Sequence, residues 1–473
     1  MKVRNPRNGE LDYELKVDSI EEISDKANQA RKHQALWLKK GVEYRSELIG
    51  EFGERLAGVS EELFEQLSID TGRRRIARIE IEGVLGLIKG RCMTAPTLMA
   101  PVEERNSFTS PTVKIKQQLI PYQLVGAISP WNFPLLLAMI DAIPALLSGS
   151  AVLLKPSEVT PRFMDVVEKV ILCMPDLSRV FKLVRGGADA GKAVVNSSDV
   201  ICFTGSVETG RKIGMRCAER FIPAFLELGG KDPAIVLADA DLNMTADAII
   251  RSAIGASGQA CQSLERVYVD ELIFDKFLET LLNKVLPLKF NSDYSKGGII
   301  GPLIFKGQAE KIQAQLNDAV EKGAEILIGG MIKEIDGGIW MEPTILRNVD
   351  HSMDIMREET FGPVIPMMHF STVDQAVELS NDSQFGLSAS VFSANEENAL
   401  TVASRIQAGG ISINDASLTN KVFDAEKNAF KFSGLYGSRM GAAGFMRFFR
   451  KKALLIQTEK ASSISEQAEL IDE

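Results

Sequence analysis

Residues 123–158, QLVGAISPWNFPLLLAMIDAIPALLSGSAVLLKPSE, decide the fold. Gln123–Ile128 is an uncharged run of strand length, Leu135–Leu147 an apolar run of helix length, and Ala151–Leu154 a second strand. Short apolar runs bounded by turn residues mark strands buried on both faces, and their alternation with helices marks a parallel sheet. From Leu124 to Ile140 no charge appears, which approaches the ~18 residues of a membrane span. Pro130, Asn132 and Pro134 interrupt that run and Asp141 follows at once, so strand, loop and helix is the better reading.

The rhythm extends outward. Val180–Val184 and Val200–Phe203 are further strands, and a helix over Ser206–Arg220 follows a Thr-Gly-Ser turn. After Gly229-Gly230 a second series begins. Pro233–Leu237, Arg266–Val269, Ile326–Ile328, Ile365–Met368 and Ser388–Phe392 read as strands; Leu242–Ser257, Phe274–Val285 and Ile304–Lys322 read as helices. Residues 19–66 read as helical from the spacing of Ile20, Ile23, Ala27 and Ala30. Thr112–Leu119 alternates as a half-exposed strand does, and Lys452–Thr458 is strand-like. The acidic tail Glu459–Glu473 is expected to be loosely held. The expected class is α/β, with two α/β domains meeting near Gly229-Gly230.

At 473 residues the chain exceeds one ordinary core, and its 45% hydrophobic and 25% charged content suits a globular protein. A net charge of -9 argues against nucleic acid as a partner. The basic run Arg447–Lys452 reads as a solvated helix end. Five cysteines form no CxxC pair, which argues against a zinc site or a disulfide framework and for a reducing compartment. The N-terminus shows no apolar run of a secretory signal, so a cytoplasmic location is expected.

With only three histidines, His33, His351 and His369, none in a glycine-rich motif, a Cys-His or Ser-His-Asp engine is hard to build. Cys261 lies in Gly255-Ala-Ser-Gly-Gln-Ala-Cys, 34 positions after Glu227 in Leu-Glu-Leu-Gly-Gly-Lys. Free cysteine is more often an inert core residue, but Gly258, Gln259 and Gln262 are poor core formers. A cysteine near a helix N-terminus would also gain thiolate character. Glu227, in an apolar run before two glycines, is either a boundary ion-pair residue or a buried general base. Pro130-Trp-Asn-Phe-Pro134 is either a core turn or a rigid loop presenting the Asn132 amide as an oxyanion donor. Lys155 and Glu158, at the next strand end, suit the hydroxyls of a ribose or form a surface turn. Phe203-Thr-Gly-Ser-Val-Glu-Thr-Gly210 lacks the full GxGxxG fingerprint, yet its helix N-terminus suits a pyrophosphate. Met356–Pro363 combines acidic, aromatic and turn residues able to grip a second ribose and pack on a flat ring.

Taken in order, Pro-Trp-Asn-Phe-Pro, Lys-Pro-Ser-Glu, Phe-Thr-Gly-Ser, Glu-Leu-Gly-Gly-Lys, Gly-Gln-Ala-Cys and Glu-Glu-Thr-Phe-Gly-Pro-Val resemble the aldehyde dehydrogenase superfamily over nearly the whole chain. The resemblance implies a Rossmann-like NAD-binding domain (1–108 and 125–228), an α/β catalytic domain (229–415) and oligomerisation segments (109–124 and 446–473). Residues 416–445 would then return near the active site. It also implies a homodimer or homotetramer, with no membrane partner. It carries Cys261 over as nucleophile, Glu227 as general base and Asn132 as oxyanion donor. Lys155 and Glu158 match adenosine-ribose contacts, Ser206 a pyrophosphate contact, Glu359 the nicotinamide ribose and Phe361 the nicotinamide face. Trp131, Ser157, Gly205, Gly210, Leu228 and Gly229 complete the implied cofactor site. NAD is the implied cofactor, with NADP left open, and no metal is implied. The implied reaction oxidises an aldehyde through a Cys261 thioester that Glu227-activated water hydrolyses. Coenzyme A-acylating or acyl-reducing chemistry is the enzymatic alternative, and a silent binding protein on the same fold the non-enzymatic one.

The sequence departs from the family in places. Ala256 stands where asparagine is usual, and Glu426-Lys-Asn-Ala429 replaces a Pro-Phe-Gly-Gly turn, putting Lys427 at a pocket phenylalanine. Met440 stands where glutamate is common. Ile140, Gln262, Lys427 and Phe432 are the residues expected to border the aldehyde pocket.

Overall fold

The computed structural model describes residues 1–461 and 463–464. Two sheets organise it. The first has six strands in the order 434–435, 224–227, 200–204, 124–128, 151–155 and 181–183. All run parallel except Gly434–Leu435, which lies antiparallel to Ala224–Glu227. Leu124–Ile128 sits centrally, between Ala151–Lys155 and Val200–Thr204, so the loops leaving it and Val200–Thr204 open a crevice at a topological switch point. The second sheet has seven strands in the order 325–328, 344–347, 364–370, 264–270, 232–236, 388–392 and 410–413. Only Glu325–Ile328 is antiparallel to its neighbour. The central strands of both sheets are buried along their whole length, as expected where helices cover both faces.

The predicted strands recur with ends shifted by one to three residues, the largest shift at the start of the terminal strand, and Ser388–Phe392 and the helix Phe274–Val285 coincide with their predicted spans. The predicted helical stretch 19–66 is three helices, Ile20–Lys39, Gly41–Gly58 and Ser60–Thr71. Ser19 and Glu22 form a reciprocal capping box at the first. Ile23, Ala27 and Ala30 are buried there, whereas Ile20 remains exposed at the first turn. Arg74–Leu98, to which the sequence reading assigns nothing, is a fourth helix of 25 residues. Gly83, Gly86 and Gly90 each weaken it locally. Burial of Ala77, Ile81, Val84, Leu87 and Ile88 on one stripe offsets that weakness.

Val113–Pro121 pairs along its full length with the terminal strand Phe449–Gln457, and Arg105–Asn106 completes a three-stranded sheet. The basic run 447–452 is therefore not a solvated helix end. Arg447 caps the helix Gly441–Met446 but is buried against Asp141, and the strand begins at Phe449. Most of the predicted loose tail, 462 and 465–473, lies outside the described residues. Among the described residues no helix is long and apolar enough to cross a membrane.

The returning segment touches both sheets. The Lys427 stem packs on Gly410 of the second sheet, Gly434–Leu435 extends the first sheet beside Glu227, and Phe430–Lys431 forms a separate two-stranded sheet with Phe385–Gly386. It is anchored by Asp141, which accepts hydrogen bonds from Arg439 at 3.0 Å and from Arg447. All three side chains are buried. Removing one partner from a buried ion network leaves charge uncompensated, typically costing about 3–5 kcal/mol. Asp141→Ala is therefore expected to lower the thermal unfolding temperature clearly, with Arg439 and Arg447 left facing each other; an unchanged melting curve would contradict this role.

Candidate active site

The loops at the strand ends of both sheets meet around a cleft of about 780 Å³. Asn132, Cys261, Lys155, Ser157, Glu158, Gly205, Ser206, Leu228, Gly229, Glu359, Phe361 and Trp131 all line it. Glu227 and Gly210 lie immediately behind the lining. Glu227 ends the strand Ala224–Glu227 and is half-buried, and Gly210 belongs to the helix Val207–Glu219. None of the described residues donates a hydrogen bond to the Glu227 carboxylate, which leaves it free to turn.

Cys261 occupies the turn between a short 3-10 segment, Gly255–Gly258, and the strand Leu264–Asp270. It is not at a helix N-terminus, so no helix dipole assists its ionisation. Burial, then the nearby carboxylates of Asp232 and Glu359, push its thiol up to about 12; Lys427 acts in the opposite sense and Glu227 adds to the rise. The approach to the turn is strained: Ala256 and Ser257 have φ of 53° and 58°. Gly258 follows at φ 69°, and a Cβ there would lie 2.1 Å from the Gly362 carbonyl oxygen. The turn is held by Ser257, which donates to the Gly301 carbonyl, and by Gln259, whose side chain donates to the Pro302 carbonyl and accepts from the Ile304 N–H. Asn132 joins it, donating through Nδ2 to the Gln259 carbonyl at 3.0 Å. One carboxamide N–H is thereby used to orient the group, and the second is available to an oxyanion.

On the far side, Lys155 is buried and donates to Glu158 at 3.2 Å. Ser206 caps the helix Val207–Glu219, accepting from the Thr209 N–H, so free N–H groups face the cleft. A Cβ at Gly210 would lie 2.5 Å from Leu228, so glycine lets the helix settle against that strand end. Glu359 accepts from the Gly230 N–H, and burial followed by Glu265 pushes its carboxyl up to about 7. Phe361 is held at φ 54° and meets Trp131 edge-on at 5.4 Å. Lys155 with Glu158, a helix N-terminus and Glu359 line one cleft and offer groups suited to ribose hydroxyls and a pyrophosphate, so the donor set fits a dinucleotide.

The four expected pocket residues separate. Gln262 and Lys427 share one side of the nucleophile: Thr419 donates to the Gln262 side chain and, with the Lys427 stem, packs on Gly410. Ile140 is buried in the core of its helix, and Phe432 is exposed with its ring near Arg211. Several participants have no motif to announce them. Glu265 accepts from the N–H groups of Thr360 and Phe361 at 2.7 and 2.8 Å and from Lys231 at 2.8 Å. Its signal was the adjacent charged pair Glu265-Arg266 at the start of the strand Leu264–Asp270. Arg73 and Glu80 reach Asn132 and the residues after it; Glu80 was detectable as a carboxylate within an apolar helical stripe. With a thiol raised to about 12, the thiolate fraction grows about tenfold per pH unit through neutrality. Iodoacetamide labelling of Cys261, followed by peptide mass spectrometry on the free protein, is expected to accelerate from pH 7 to pH 9 without a plateau. A plateau near neutrality would refute it.

The family model for the aldehyde dehydrogenase family matches residues 1–454. PutA from Anabaena variabilis, provisionally an aldehyde dehydrogenase, is 47% identical and superposes with a TM-score of 0.95 over 98% of both chains. Betaine aldehyde dehydrogenase from Staphylococcus aureus, solved with NAD+, is 28% identical with a TM-score of 0.91, covering 98% of this chain and 92% of that one. A Mycolicibacterium smegmatis protein carrying the provisional name succinate-semialdehyde dehydrogenase [NADP(+)] is 32% identical over 438 residues, 92% of this chain and 84% of its own length. The strand-end cleft, the cysteine turn and these likenesses agree: the chain belongs to the aldehyde dehydrogenase family and is an oxidoreductase acting on aldehydes.

Proposed function

We propose that the chain oxidises an aldehyde to its carboxylic acid with NAD, through a thioester on Cys261. The observation that carries this reading is that Asn132 and Cys261 line one cleft, with Asn132 tied to the cysteine turn and the Glu227 carboxylate near enough for its charge to act on the thiol. The Cys261 thiol gives its proton to solvent water and its sulfur adds to the aldehyde carbon, while the free Asn132 N–H donates to the alkoxide that forms. Lys155, Glu158, Ser206 and Glu359 would hold the dinucleotide, which would supply the acceptor for the hydride that leaves this carbon. Glu227 then takes a proton from water as that water attacks the thioester, returning the thiolate and releasing acid. A carboxylate without fixed donors suits a role that needs it to turn toward water only after acylation.

Glu158 favours NAD, because its carboxylate at the adenosine end would repel a 2′-phosphate. Lys192, Lys212 and Arg216 also border the cleft, which supports weaker use of NADP, the cofactor in the name of the M. smegmatis relative. Lys427, whose ammonium has no ion-pair partner among the described residues and whose charge acts on the thiol, supports an aldehyde that carries an acidic group. The free outer face of the strand Phe449–Gln457, with Leu455 and Ile456 exposed, supports a homo-oligomer.

Aldehyde-dependent NADH formation is expected from the wild type and to fall by about a thousandfold or more in Cys261→Ala; surviving turnover would remove the nucleophile. Glu227→Gln is expected to accumulate an acyl-enzyme visible by intact mass, and normal turnover would deny it the role of base. For Lys427→Met, KM for a carboxylated aldehyde is expected to rise about tenfold, roughly 1.4 kcal/mol, with a neutral aldehyde unaffected. An equal change for both would discard an acidic substrate.

A further inference from the structure

We propose that Arg73 is a positioning residue that fixes the separation between the Asn132 oxyanion donor and the loop bearing Cys261; this rests on the aldehyde-oxidising reading above. Arg73 lies at the junction of the helices Ser60–Thr71 and Arg74–Leu98, outside both sheets. Its guanidinium is buried, and none of its hydrogen bonds goes to a carboxylate. One arm donates to the Asn132 carbonyl and the other to the Ala256 carbonyl at 3.2 Å, with the cation 5.3 Å from the centre of the Phe133 ring.

These contacts close a ring. Asn132 reaches back through its carboxamide to the Gln259 carbonyl at 3.0 Å, and the Gln259 N–H donates to Ala256 at 3.2 Å. Arg73 completes the circuit from Ala256 to Asn132, so the donor is held at both its backbone and its side chain against one loop. The same helix reinforces the arrangement two turns on. Glu80 accepts from the N–H groups of Leu135 and Leu136 at 3.1 and 3.2 Å, capping the helix that starts just after Asn132.

The charge of Arg73 acts on that of buried Glu80, yet no hydrogen bond joins the two and both Arg73 bonds go to backbone carbonyls. Burying a cation is costly, and an apolar side chain of similar volume would serve packing as well or better. Burial pulls the Arg73 guanidinium down to about 10, still high enough to keep it charged at neutral pH. Its two acceptors belong to loops from different sheets whose spacing decides whether an alkoxide on Cys261 meets the Asn132 N–H. The left-handed Ala256 and Ser257 make one of those loops prone to relax if released. Misplacement by about 1 Å is enough to cost about 100-fold in rate.

The test compares Arg73→Met, Arg73→Lys, Asn132→Ala and the Asn132→Ala/Arg73→Lys double variant in the full chain. For Arg73→Met, kcat for aldehyde oxidation is expected to fall about 100-fold while KM for NAD stays within about twofold and Cys261 alkylates at the wild-type rate. Arg73→Lys keeps one donor and is expected to recover about tenfold of that loss. In the Asn132→Ala background, the lysine substitution is expected to cost nothing further, since the positioned group is gone. Near wild-type kcat in Arg73→Met, absence of lysine rescue, equal losses in alkylation and turnover, or additive losses in the double variant would each overturn the proposal. If Arg73→Met does not fold, the lysine single and double variants decide it by the same additivity. A wild type without aldehyde oxidation would instead defeat the underlying functional reading.

Discussion

The buried pair of Lys231 and Glu265 is the interaction on which the cleft depends. Lys231 follows the Gly229-Gly230 boundary between the two sheets, and Glu265 opens the strand that leaves the cysteine turn. Both are essentially inaccessible, and the carboxylate spends its remaining capacity on the N–H groups of Thr360 and Phe361. Lys231 also donates to the Thr360 hydroxyl at 2.8 Å, and Arg266 grips the Lys231 carbonyl at 2.9 Å. A buried ion pair is tolerable only when its other donors and acceptors are satisfied. Here they are satisfied by the backbone of the loop that carries Glu359 and Phe361, so satisfying the charge and shaping the cofactor site are one event.

The electrostatics of the nucleophile follow from that architecture. Strand ends of both sheets bring Asp232, Glu359 and Glu227 toward the sulfur, and each opposes ionisation. In the free protein burial and these carboxylates favour the protonated thiol. Such a resting state suits a nucleophile exposed to oxidants, because sulfur oxidation also proceeds through the thiolate. Lys427 is the cation that counters these carboxylates, and it stands in the segment where this chain departs most from its family pattern.

Much of this was legible in the sequence, and what was not has physical reasons. Buried parallel strands such as Ser388–Phe392 are short apolar runs, readable because nothing polar interrupts them. Two ligand-facing loops were readable because Pro130–Pro134 and Thr204–Ser206 follow such strands, and Glu359–Phe361 because acidic, aromatic and turn residues lie together just before the strand Val364–Phe370. The helix Arg74–Leu98 was hidden by its glycines, since its stability comes from tertiary burial rather than propensity. Ala224–Glu227 was not read as a strand because it is only four residues long and stabilised by neighbours on both sides. The setting of Cys261 was misread for a related reason: Gly255–Gly258 ends a helical stretch rather than starting one, which the left-handed Ala256 and Ser257 decide. Arg73, Glu80 and Glu265 act on backbone groups distant in sequence, and local pattern holds no record of such contacts.

The segment that returns across the cleft has an evolutionary and engineering consequence. Its residues Gly434–Leu435 are hydrogen-bonded to the strand that ends in Glu227, while Lys427, seven positions upstream, packs on Gly410 in the other sheet. Selection for a new aldehyde acting on this stretch would also tug at Glu227, the base proposed above. Substrate range and hydrolytic rate are thus linked traits in this scaffold, and variants selected for one should be screened for drift in the other.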